Sequence, residues 1–313
     1  MDNFAIWTKN LTKKFGDFVS VDNISIQVEK GDIFGFIGAN GAGKTTTIRM
    51  LCGILDPTSG EGKVAGYDIF KEQEKIKENI GYMSQKFSLY NDLTVEENIN
   101  FYCGAYKLSN QERKIAKERA YQISELKSLK DTLTRDLPVG WKQRLALSCA
   151  LLHNPQIVFL DEPTAGVDPI SRRKFWDLIY ELSSEGITVF VTTHFLDEAE
   201  HCTKIGLIDN GKIIAQDTPS RLKNFFDFDI YEVFSSDNLK LCELINEEKI
   251  CKSAFIFGNS IHIVNDKDQK IREDILSLSR KNFLEVYSIS QIHPTLEDVF
   301  INLIEEKQAF KND

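Results

Sequence analysis

The chain has 313 residues and a formal charge of −9, long enough for one large α/β unit or for a large and a small domain. A nucleic-acid partner needs a basic face against its phosphates, which neither this balance nor any visible Lys/Arg cluster offers; residues 225–313 hold ten Lys/Arg against seventeen Asp/Glu, so the acidity gathers toward the C-terminus. With no signal-peptide profile in residues 1–10, no apolar run near the roughly 20 residues that span a bilayer, and six cysteines outside CxxC or zinc-site spacing, the expectation is a cytoplasmic chain with reduced thiols.

Short alternating runs at residues 4–8, 18–21 and 24–28 predict antiparallel strands ahead of the first buried strand at 32–37. That strand runs into Gly38-Ala39-Asn40-Gly41-Ala42-Gly43-Lys44-Thr45-Thr46, and an apolar-periodic helix follows to about residue 51. In a Gly-x-x-x-x-Gly-Lys-Thr spacing, successive backbone N–H groups wrap the β-phosphate of a nucleotide. Lys44 then meets the β and γ oxygens, and the Thr45 hydroxyl reaches Mg²⁺. A glycine turn with an incidental lysine is the bland alternative, and the flanking strand and helix make it a poor one.

Residues 80–83 predict another strand, and Gln85 just beyond offers a carbonyl to Mg²⁺, with a plain surface glutamine as the alternative. Polar helices over 95–106 and 111–129 read as a surface hairpin. Pro138 opens a helix over 138–152 at its first turn. The apolar strand 157–160 ends on Asp161 and Glu162. Asp161 stands where magnesium is held through water, and Glu162 where a proton is taken from the water attacking the γ-phosphate. A carboxylate pair capping a loop is common, but the phosphate loop upstream outweighs it.

A helix over 170–182 and a buried strand over 187–192 lead to His194, placed for a neutral imidazole to touch the γ-phosphate and orient water. A lone histidine is otherwise structural. A helix at 196–202, a hairpin through Asn210-Gly211 and a helix to 224 complete an α/β layer. Thereafter strand 230–234, helix 238–247, strands 254–257 and 261–264, helix 269–280 and strand 284–289 give a βαββαβ order, that of a small α+β ferredoxin-like domain. The expected domains are 1–224 and 225–313.

Across residues 4–224 these motifs, in this order, resemble the ATP-binding cassette ATPases. The resemblance implies a P-loop NTPase cassette built from an antiparallel β subdomain, a parallel-sheet core and an α-helical subdomain, with ATP and Mg²⁺ as cofactors. It implies Phe15 as the ring stacked on adenine, although by pattern alone Phe15 is a core aromatic. It makes Gln85 the lid-region glutamine, Val167-Asp168 the dimer-contact loop and His194 the switch histidine.

One segment departs from the family. Leu137-Pro138-Val139-Gly140-Trp141-Lys142-Gln143-Arg144 stands where the signature reads Leu-Ser-Gly-Gly-Gln before Lys-Gln-Arg. In the family this helix start closes over the γ-phosphate held by the opposite subunit. Pro138 brings neither hydroxyl nor N–H, and Val139 adds a Cβ where the backbone approaches closely. Val139, Gly140 and Trp141 keep their N–H groups and the helix dipole, so a weaker but working site is expected. One phosphate loop and one signature segment per chain imply an ATP-dependent dimer, either a homodimer or a cassette heterodimer.

The segment His293-Pro294-Thr295-Leu296-Glu297-Asp298-Val299-Phe300 is similar to the tail of cassette subunits in bacterial drug and polyketide exporters. As a pattern it is a helix capped by Thr295. The resemblance implies an Mg-ATP-hydrolysing subunit, peripheral on the inner face of the membrane, that powers export by a separately encoded permease docked through residues 87–98. A soluble cassette ATPase acting on ribosomes or nucleic acid is the alternative, and such chains usually carry tandem cassettes or basic patches. A small-molecule kinase would leave Gln85, His194 and residues 137–144 without a role.

Overall fold

The computed structural model describes residues 3–85, 88–224, 227–267 and 271–312, with side chains as far as residue 304. Phe87 of the expected docking stretch, residue 225 and Gln269 lie outside the described residues. Two compact units divide the chain, Met1–Thr218 and Pro219–Asp313.

The first unit opens with β1 (Phe4–Phe15), β2 (Phe18–Ile24), β3 (Gln27–Glu29) and β4 (Ile33–Ile37), then α1 (Lys44–Leu51). Next come β5 (Ser59–Val64), β6 (Tyr67–Asp68), α2 (Gln73–Asn79) and β7 (Ile80–Met83). Helices α3 (Val95–Ala105), α4 (Asn110–Ser124) and α5 (Val139–Ala150) follow. The unit closes with β8 (Ile157–Asp161), α6 (Pro169–Ser184), β9 (Thr188–Thr193), α7 (Leu196–Ala199), β10 (Lys204–Asp209) and β11 (Lys212–Asp217).

Two sheets result. An antiparallel one runs β2-β1-β5-β6 with β3 also on β1, and a mostly parallel one runs β11-β10-β4-β9-β8-β7. Every residue of β4, β8 and β9 is buried, as expected for parallel strands covered on both faces. The Phe190 ring anchors this core, lying 5.3, 5.6 and 5.4 Å from the rings of Phe34, Phe36 and Phe159. Because β4, β9 and β8 are adjacent and parallel, the chain that leaves each one emerges at the same sheet end, where ligands of open α/β sheets collect.

The helical layer is fixed locally. Thr94 with Glu97, and Ser109 with Glu112, form complete capping boxes at the starts of α3 and α4. Here the structure trims the expected elements. The helix expected to reach residue 129 ends at Ser124, because Glu125 turns left-handed at φ 56° and delivers Leu126 into the core. Pro138 sits at the N-cap of α5, one residue before its expected place, with extended backbone at ψ 155°. The helix expected over 196–202 is one turn, Leu196–Ala199. Strands β5 and β6 and helix α2 have no counterpart in the sequence reading; β5 is Ser-Gly-Glu-Gly-Lys-Val, too glycine-rich to read as a strand.

The second unit contains α8 (Pro219–Asn224), β12 (Phe228–Ser235), α9 (Asn238–Glu247), β13 (Ser253–Phe257), β14 (Ser260–Asp266), α10 (Arg272–Lys281), β15 (Val286–Ile292) and α11 (Leu296–Asn312). Its antiparallel sheet has the order β13-β14-β12-β15, the ferredoxin-like arrangement of a βαββαβ chain. Thr295 begins α11: its hydroxyl oxygen accepts the Asp298 N–H at 3.2 Å, and its own N–H donates to Asp298 Oδ2 at 2.7 Å. Asp298 Oδ1 lies 2.7 Å from Nδ1 of the buried His262, which fastens the helix to β14. No helix among the described residues is long and apolar enough to cross a membrane.

Candidate active site

The loop from β4 to α1 forms a backbone cradle. A Cβ on Gly38 would stand 2.2 Å from the Ile208 carbonyl oxygen, and one on Gly43 would stand 2.7 Å from that of Ser20 at a φ of +108°, so neither position tolerates a side chain. Gly43 is the N-cap of α1 and contributes no side-chain cap, leaving the first N–H groups of the helix turned to the loop, as an anion requires. Thr46 accepts the Ser20 hydroxyl at 3.0 Å. A cavity of about 510 Å³ opens over Asn40, Gly41, Lys44, Thr45, Gln85 and Glu162.

Charge converges on Glu162. Lys44, 4% exposed, donates to the carbonyls of Gly38 and Ala39 at 2.8 and 3.1 Å and pairs with Glu162 Oε1 at 3.2 Å. Gln85 Nε2 donates to Glu162 Oε2 at 3.1 Å. His194 Nδ1 lies 3.3 Å from the same oxygen without hydrogen-bond alignment. Glu162 itself has a left-handed φ of 49°, a conformation that costs a non-glycine residue about 1–3 kcal/mol. Its N–H is held by both the carbonyl and the hydroxyl of Thr192, each at 3.1 Å.

Asp161, 1% exposed, accepts hydroxyl hydrogen bonds from Thr192 at 2.7 Å and Thr45 at 3.2 Å. Burial pushes its carboxyl above the usual range, outweighing those two hydrogen bonds, and the neighbouring Glu162 charge adds to the rise. A buried carboxylate beside a threonine hydroxyl is a hard-oxygen pair that suits Mg²⁺, which takes one or two protein ligands and completes its shell with water and substrate oxygens. No group of three or more His, Cys, Asp or Glu among the described residues is arranged to hold a metal ion.

The remaining expected residues divide. Phe15 is 50% exposed beneath Lys13 Nζ, 5.1 Å from its ring centroid. Phe18, directly opposite it across the β1–β2 turn and 65% exposed, is the ring that lines the cavity. Asp168 caps α6 by accepting the Ser171 N–H at 2.9 Å, and the hydrogen bonds from Ser171 hold its carboxyl below the usual range. Val139, Gly140 and Trp141 start α5 and do not line this cavity; Trp141 packs into the core of the helical layer. A Cβ on Gly140 would meet Ser171 at 2.9 Å, so the starts of α5 and α6 abut.

Sequence reasoning passed over Thr192, whose one hydroxyl donates to the Asp161 carboxylate and accepts the Glu162 backbone N–H. The signal available was a hydroxyl residue at the end of the apolar run Val189-Phe190-Val191 in a strand buried throughout. A larger groove of about 960 Å³ between α4 and α6 contains Arg119 and Arg144, both already paired with Glu185 and Glu125, and shares no residue with the phosphate loop.

Residues 21–165 match the family model described as ABC transporter. The probable multidrug ABC transporter ATP-binding protein YbhF of Escherichia coli is 51% identical over 219 residues, covering 70% of this chain and 38% of that longer protein. The bacitracin transport ATP-binding protein BcrA of Bacillus licheniformis is 34% identical over 306 residues, 96% of this chain and 97% of the relative. Among solved structures, cbiO1 of Clostridium perfringens, part of an ABC transporter complex, aligns with a TM-score of 0.66 at 27% identity over 72% of this chain and 92% of that one.

Proposed function

The chain belongs to the ABC transporter family as one of its ATP-binding subunits, and from that premise we propose that it hydrolyses ATP between paired copies to drive export through a separate membrane permease. The observation that carries the reading is the convergence of Lys44, Gln85 and His194 on the Glu162 carboxylate at the mouth of the phosphate loop. Residues 38–46 and Lys44 would bind the triphosphate, and a γ-phosphate competing for Lys44 would release Glu162 Oε1 to accept a proton from the attacking water. His194 would orient that water beside the γ-phosphate, and Phe15 would stack on the adenine. Thr45, Asp161 and Gln85 would hold Mg²⁺, which when bound neutralises the charge on the β and γ oxygens.

The second copy would cover the nucleotide with Val139, Gly140, Trp141 and Asp168, so that each site takes its phosphate loop from one cassette and its lid from the other. Loss of the γ-phosphate would then let the copies part and move the permease docked near Gln85. Relatives named for multidrug and bacitracin transport support the export reading, as does the His293–Phe300 segment. Residues 225–313 would act as a regulatory or dimer-stabilising domain beside a cassette of residues 1–224. Steady ATP hydrolysis by the purified chain without an acceptor is expected, with kcat lowered by about 10²–10⁴-fold in Glu162→Gln, the worth of a general base. Affinity capture from detergent extract should recover a polytopic membrane protein; recovery of ribosomal material in its place would contradict the transport reading.

A further inference from the structure

A charged cluster outside the phosphate site joins the turn that carries Glu162 to the turn that carries His194. Arg172 lies four residues beyond the Asp168 cap, at the start of α6, where a cation opposes the helix dipole. Two anions compensate: its Nη1 is 3.6 Å from Asp197 Oδ2 and its Nε is 3.5 Å from Glu198 Oε1. Glu198 is 1% exposed; its Oε1 accepts the Thr164 hydroxyl at 2.5 Å, and its Oε2 has no hydrogen-bond partner. Thr164 stands two residues after Glu162, and its carbonyl accepts the Val167 N–H at 3.2 Å. On its other side the Arg172 guanidinium lies over the Phe195 ring, 4.6 Å from the centroid. That ring packs on the His194 imidazole with centroids 4.0 Å apart.

We propose that Arg172 is a positioning residue for hydrolysis, resting on the ATPase reading above. It acts on Glu162 through Glu198 and Thr164, and on His194 through Phe195, so that one guanidinium sets the spacing between carboxylate and imidazole. The same residue belongs to the helix capped by Asp168, so a shift at the start of α6 reaches both groups together. Arginine fits because a planar cation can pair with carboxylates at its edge while its face stacks on a ring; lysine offers the charge without the stacked plane.

The test uses the full chain with Arg172→Ala, Arg172→Lys and Phe195→Leu, reading kcat and KM for Mg-ATP together with Tm in the absence of nucleotide. Arg172→Ala is expected to lower kcat by about 10²-fold, the effect of an ångström-scale misplacement. Its KM should stay within about twofold, since binding of the triphosphate does not pass through this cluster. Arg172→Lys should recover part of the loss. Phe195→Leu, which leaves every charge in place, should also lower kcat at constant KM, and it carries the test if Arg172→Ala does not fold. Wild-type kcat in either Arg172→Ala or Phe195→Leu, or losses that merely follow Tm, would overturn the role of Arg172. A wild-type chain that hydrolyses no ATP would instead remove the reading on which the role depends.

Discussion

Thr192 ties the two acidic residues to each other, since its hydroxyl donates to Asp161 and receives the Glu162 N–H. Thr192→Val keeps the shape and removes the bridge. The expected result is a kcat lower by about 10-fold with nearly unchanged KM in steady-state kinetics, because a hydrogen bond to a charged group contributes about 1.5–3 kcal/mol. Asp161 shows the opposite tension. Its carboxyl is raised by burial, and an acid whose folded-state pKa is raised costs stability at every pH above that value. Asp161→Asn retains an acceptor for both threonines, so the nucleotide-free chain should melt about 2–4 °C higher, the effect of about 1 kcal/mol at this size, while Mg-dependent hydrolysis is lost. A lower Tm in calorimetry would contradict that view of the site. The lysine and the two carboxylates were legible in the sequence because each belongs to a local motif, Lys44 to the glycine loop after one buried strand and Asp161-Glu162 to the end of another. Thr192 was not, because its importance arises only when β8 and β9 lie side by side.

Elements were legible where a local rule names their ends. The sequence reading places β7 and α9 at their observed bounds, and Asn210-Gly211 gives the β10–β11 hairpin through residues that accept positive φ. The end of α4 was not legible, since a glutamate occupies the left-handed position at which glycine or asparagine is the usual signal. At α5, tertiary packing decides what the motif alone does not. The resemblance gives Gly140 an N–H toward a phosphate, and within the chain the residue is kept small by Ser171, 2.9 Å from where its Cβ would be. Gly140→Ala should therefore destabilise the nucleotide-free chain by about 1–3 kcal/mol, as overpacking does, and Ser171→Gly in the same chain should restore most of it. Denaturant unfolding of the three chains measures this. An unchanged midpoint in Gly140→Ala would leave the glycine with a role toward nucleotide alone.

For the whole molecule, the phosphate loop of a chain and its α5 start are distinct places: Val139, Gly140 and Trp141 do not line the cavity over Lys44. On the proposed reading the α5 start is a lid for the phosphate loop of a second copy, and a two-fold axis between the copies completes both sites at once. In that reading Pro138 and Val139 would weaken the lid while leaving the following N–H groups and the helix dipole, so the pairing should depend on triphosphate and lapse once it is cleaved. The most direct measurement is the mass of the Glu162→Gln chain in solution with saturating Mg-ATP, by size-exclusion chromatography with light scattering. A dimer with Mg-ATP that reverts to monomer with Mg-ADP is the predicted result, and a chain that stays monomeric in both would contradict the shared site.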